Sequence, residues 1–224
     1  MINISAFGSH AAISFGFFAS NVVNNIRTVK EVYFSNLCSR ILASLDTAST
    51  SVISASTAFE ANFLKTSDFY SLRPYLYHSF RKCREASPLP INIYIGSTTG
   101  ELGGYWVMGG VLAEFQNFNT TYYLKVTPVI DETTGELDFN QTEFVPLSYE
   151  TVYESPWYLF SQVIPSPQWI DVYPIPDYPQ FLWITLIVPL RNESTGEWSG
   201  YISTDLSTDT IGKMVLEVAS TPRQ

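Results

Sequence analysis

A chain of 224 residues with 46% apolar and 15% aromatic residues can bury one substantial core, which excludes a disordered protein. A formal charge of -9, with no cluster of Lys or Arg to offset it, excludes nucleic acid as a partner and disfavours an anionic membrane surface. Two cysteines, Cys38 and Cys83, and two histidines, His10 and His78, are too few and too scattered for a structural zinc site. No P-loop or dinucleotide fingerprint occurs, so no cofactor is expected.

Residues 1–23 read as a poorly structured N-terminal segment. Its apolar run from Ala11 to Ala19 has the length of a signal-peptide core but lacks a basic flank. No stretch reaches the ~20 apolar residues of a membrane span. Between Gly16 and Pro74 there is neither Gly nor Pro, and Leu37, Ile41, Leu45, Val52, Phe59 and Phe63 recur at helical spacings. This predicts a long helix from about 24 to 65. Its apolar stripe serves either a homodimer through this N-terminal helix or the domain's own sheet.

A second helix follows, with Asp68 or Ser71 as its cap and Pro74 in its first turn. Leu72, Leu76 and Phe80 space it to an end near Cys83. His78 reads as a surface residue on it. The two cysteines form one disulfide if the chain is secreted, or stay as thiols.

From residue 91 the period becomes that of strands. Ile91, Ile93 and Ile95 alternate with Asn92 and Tyr94. Strands are expected near 91–96, 103–108, 121–128, 182–190 and 198–205. Thr99-Gly100-Glu101, Thr134-Gly135-Glu136 and Thr195-Gly196-Glu197 are recurring turns whose glycine supplies positive φ. Residues 149–163 read as an aromatic, helix-like segment, and the apolar set Leu206, Ile211, Met214, Val215 and Val218 suits a C-terminal helix capped by Ser207. The fold class is α+β, one domain over 24–220 with its sheet module over about 68–220.

Four segments resemble the membrane-distal module of the double Cache family of extracellular sensor domains. They are Ile91 to Glu101 after the long helix, Ser155-Pro156-Trp157-Tyr158, Trp169 to Tyr173 with Ile184 to Leu190, and Gly196 to Leu206. The resemblance spans about residues 30–218. It implies a PAS-like antiparallel sheet with a pocket on one face, outside the cell, as part of a transmembrane receptor that senses a small molecule. It implies a binding module and no enzyme; the membrane-proximal module and any output domain have no counterpart in this sequence.

By that resemblance Trp157, Tyr158 and Asp205 contact an amine-bearing ligand, with Tyr149, Tyr153, Trp169, Asp171 and Tyr173 around them. An aspartate beside stacked rings offers an ammonium a salt bridge and cation–π contacts. The plainer reading makes the tryptophans core and Asp205 a helix-entry cap. Amino-acid-sensing members carry an arginine where this chain has Ser155, so an amine without a carboxylate fits better.

Asn119, Asn140 and Asn192 head glycosylation sequons. The alternative function is a carbohydrate-binding or glycoside-hydrolysing domain, since Glu150, Glu154, Asp171 and Asp177 lie among Tyr and Trp.

Overall fold

The computed structural model describes residues 4–60, 68–86, 91–108, 110–117, 123–146, 152–175, 178–208, 211–213 and 215–216. The chain divides into two compact units, residues 1–42 with 214–224 and residues 43–213. Helix α1 (Ile4–Glu60) begins in the first. It therefore starts at Ile4 and not near residue 24. Gly8 and Gly16 each lower helix propensity by about 1 kcal/mol but do not break a helix, and no proline occurs before Pro74.

In the second unit α1 buries Ser44, Ala48, Val52, Ala55 and Phe59, spaced by three and four. The expected stripe is present, and small side chains fill it between the large ones. Phe63 lies outside the described residues. Helix α2 (Phe69–Ala86) is capped by Asp68, whose Oδ1 accepts the Ser71 amide at 3.2 Å. The Cys83 thiol is buried and donates to the Ser51 hydroxyl at 2.8 Å. Cys38 and Cys83 are both free thiols in this structure, and Cys83 makes its contact with α1. Among the described residues no helix is long and apolar enough to cross a membrane.

The second unit holds one nine-stranded antiparallel sheet. Its strands are β1 (Ile91–Ser97), β2 (Leu102–Met108), β3 (Val111–Asn117), β4 (Tyr123–Asp131), β5 (Glu136–Leu137), β6 (Glu143–Pro146), β7 (Gln168–Ile175), β8 (Tyr178–Arg191) and β9 (Trp198–Ser207). The order is β5-β4-β3-β2-β1-β9-β8-β7, with β6 on β4. The chain's first and last strands thus lie side by side at the centre. Gly100, Gly135 and Gly196 have φ of 77°, 79° and 71°, as their turns require.

The strand β9 continues through Leu206 and Ser207, which pair with Ile184 and Trp183 of β8. Leu206 is therefore a strand residue, Asp205 is a strand residue and not a helix-entry cap, and Ser207 ends the strand directly before the helical residue Thr208, in the position expected of a cap. Helical residues follow at 208, 211–213 and 215–216.

Alternation gives the sheet two faces. One carries Ile93, Tyr105, Glu114 and Thr204 and meets α2, where Tyr105 packs edge-on to Tyr77 at 5.0 Å. The other carries Tyr94, Leu102, Phe115, Ile187 and Tyr201, and a short segment covers it. That segment is a 3-10 turn over Val152–Glu154 followed by helix α3 (Pro156–Val163).

Gly104 makes room for this second face. A Cβ there would lie 2.2 Å from the Ile93 carbonyl oxygen and 2.5 Å from Tyr94 Cβ. Because the nearest atom is backbone, nothing can swing aside. Gly104→Ala is expected to lose about 1–3 kcal/mol, read from the urea midpoint at unchanged slope.

Candidate functional site

Asp205 sits on β9 where it is flanked by Asn92 of β1 and Thr185 of β8. Thr185 Oγ1 donates to Asp205 Oδ1 at 2.7 Å, and the Tyr94 hydroxyl donates to the same oxygen at 3.2 Å. The Asn92 side chain adds a third hydrogen bond. Its own Oδ1 accepts the Val107 amide at 3.3 Å, which leaves its NH2 for the carboxylate. The Tyr173 hydroxyl lies 2.7 Å from Thr185 Oγ1. Since Thr185 has given its one proton to Asp205, Tyr173 is the donor there.

The groups acting on Asp205 are neutral. Burial pushes its carboxyl up from 3.8 to about 7, and the hydrogen bonds from Thr185, Tyr94 and Asn92 offset this only in part. Tyr94 is driven well above the usual phenol range by burial and then by the Asp205 charge, so it stays a donor. Around this centre stand four rings. Trp157 lies 6.2 Å from Tyr173, and Tyr94 meets Tyr201 edge-on at 6.3 Å. The Tyr201 ring lies across Gly96, where a Cβ would come within 2.3 Å of it.

The structure brings Trp157, Tyr173 and Asp205 together. Tyr158 and Tyr153 belong to the packing layer beneath α3. Tyr158 is buried, donates to the Thr98 carbonyl at 3.3 Å and stacks edge-on against Tyr153 and Trp198 at 5.1 and 5.2 Å. Trp169 pairs with Leu186 and so lies on the opposite face from Asp205. Asp171 is exposed in the bulge between Ile170 and Tyr173. Tyr149 lies outside the described residues.

Ser155 is fully buried and donates to the Val152 carbonyl at 2.6 Å, which fixes the entry to α3. It does not substitute for a ligand-gripping guanidinium. Glu154 is exposed, and Glu150 and Asp177 lie outside the described residues. Among the described residues no cluster could hold a metal. Asn140 and Asn192 are exposed, and Asn119 is outside the described residues.

Sequence reasoning missed Asn92, Tyr94, Thr185 and Tyr201. The signal for three of them was present: Tyr201, Ser203 and Asp205 alternate along one strand, as do Asn92 and Tyr94.

No family model and no curated protein matches the chain. Among solved structures it is similar to the sensory domain of the Campylobacter jejuni chemoreceptor Tlp3, at 14% identity and TM-score 0.42 over 87% of this chain and 68% of that one. A second Tlp3 structure, of the ligand-binding domain in complex with L-valine, matches at 14% identity and TM-score 0.33 over 87% and 67% of the two chains. The periplasmic sensory domain of Campylobacter jejuni Tlp1 matches at 9% identity and TM-score 0.42 over 87% and 63%. Likeness at this level leaves the function to be argued from the site itself.

Proposed function

We propose that this chain is the extracellular sensing domain of a membrane receptor, and that a small ammonium-bearing molecule binds at Asp205. One observation carries the reading: a carboxylate in the middle of the sheet lies among Tyr94, Tyr173 and Tyr201, with Trp157 packed on Tyr173, and among the described residues its donors are neutral. An ammonium supplies the missing countercharge, and the rings add cation–π attraction in a partly desolvated site. Among the described residues the groups that act on Asp205 include no guanidinium or ammonium to hold a ligand carboxylate, so the ligand is an amine without one. The order of motifs that resembles the double Cache family supports a position outside the cell, coupled to a signalling partner.

Binding is linked to a proton. The unliganded site holds its proton up to about pH 7, and an ammonium needs the carboxylate charged. Simple alkylamines stay protonated to about pH 10, so the pH window belongs to Asp205. Calorimetric titration with ethylammonium is expected to show affinity rising about tenfold per pH unit from pH 5 to 7 and levelling above it. One proton should be released per ligand at the acid end. Affinity that is flat with pH, or that strengthens on acidification, refutes the assignment.

A further inference from the structure

Ser203 lies between Tyr201 and Asp205 on the same face of β9, opposite Tyr94 of β1 and Ile187 of β8. It is fully buried, and its hydroxyl has no hydrogen-bond partner among the described residues. Buried serines elsewhere in this unit behave differently. Ser155 and Ser161 each donate at 2.6 Å to the carbonyl three residues earlier. On a strand the local carbonyls belong to the neighbouring strands, and a side chain stands out from the sheet. A hydroxyl left unpaired in such a place is destabilising and rare, while an alanine would fit there at no such penalty.

We propose that Ser203 is the second ligand contact of the Asp205 site and selects ammonium ligands that carry a neutral hydroxyl or carbonyl two or three bonds from the nitrogen. This rests on the ammonium reading above. Side chains two apart on a strand are separated by about 6–7 Å. Hydrogen bonds of about 2.8–3.0 Å at each end leave only a few ångströms between the ligand's two polar atoms. That is the reach of a short amino alcohol or amino amide. Asp205 is the partly exposed member and Ser203 the enclosed one, so the ammonium sits at the entrance and the neutral group points inward. A second ion is excluded there by the same burial that raises the Asp205 carboxyl.

The adjacent Thr204 supplies a control. Its hydroxyl is also buried without a partner, but it projects from the opposite face, beside Ile93. Ethanolamine and propylamine have the same number of heavy atoms and differ by a hydroxyl against a methyl. Wild type is expected to bind ethanolamine at least tenfold more tightly than propylamine. Ser203→Ala is expected to erase that preference while melting no lower than wild type, and Thr204→Ala to retain it. The subsite is refuted if Ser203→Ala keeps the preference, if it melts well below wild type, if Thr204→Ala loses the preference equally, or if wild type shows none. If neither amine binds the wild type, the ammonium reading fails and takes this inference with it.

Discussion

Asp205→Asn is expected to bind ammonium ligands at least a hundredfold more weakly than wild type and yet to give a more stable unliganded domain. The loss follows from removing the one charge that faces the cation, an effect of about 2–5 kcal/mol for a desolvated pair. The gain follows from the sign of the shift. An aspartate in the unfolded chain ionises near 3.8, whereas the folded one keeps its proton to about 7. Between those values the folded state binds more protons, so wild-type stability falls as pH rises and the full penalty is present above pH 7. Asparagine carries no such penalty. The variant should therefore match wild type below about pH 4 and exceed it by roughly 2–4 kcal/mol at pH 8, several degrees in melting temperature for a domain of this size. Melting curves of both proteins at pH 5 and pH 8 decide the matter. A variant less stable than wild type at pH 8 would mean that the carboxylate is a structural group and not a ligand site.

The opposed signs separate this residue from the other carboxylates that the sequence offered. Asp171 also stands among aromatic residues, but it is exposed on a bulge of the edge strand β7. Asp205 owes its burial to the sheet centre, and the sequence does not say which strand is central. That depends on β1 and β9 pairing across more than a hundred residues, Asn92 with Asp205.

For the same reason Trp157, Tyr173 and Asp205 were legible from motif order, while Tyr94, Thr185 and Tyr201 were not. With Asn92, the missed residues come from three different strands, and only the order β1-β9-β8 collects them. Local features were more legible. The turn glycines at 100, 135 and 196 have the positive φ their sequences demand, and Asp68 caps α2. Strand β3 was hidden because Glu114 and Gln116 break its apolar run, although both are buried. The group that makes Glu114 tolerable is Arg73, 41 residues earlier on α2.

That pair is the subject of the second large effect. Arg73→Met is expected to destabilise the domain by about 3–5 kcal/mol. Glu114 is only 2% exposed and accepts hydrogen bonds from Arg73 Nη2 at 2.8 Å, from the Tyr105 hydroxyl at 2.9 Å and from Gln116. Burial raises its carboxyl above the usual range, and Arg73 is the largest influence holding it down. Without the guanidinium the carboxylate is buried with no countercharge and takes up a proton instead. Its folded value then lies further above the unfolded one. The variant's deficit should consequently shrink at acid pH and grow as pH rises. Adding Glu114→Gln to Arg73→Met removes the orphaned charge and keeps an acceptor for Tyr105. The double variant should recover most of the loss and lose the pH dependence. Phe115, the next residue on β3, lies 5.9 Å from Tyr94, so the α2 tether also steadies the strand beneath the candidate site. A double variant no more stable than Arg73→Met alone would show that the arginine acts through packing of its stem and not through its charge.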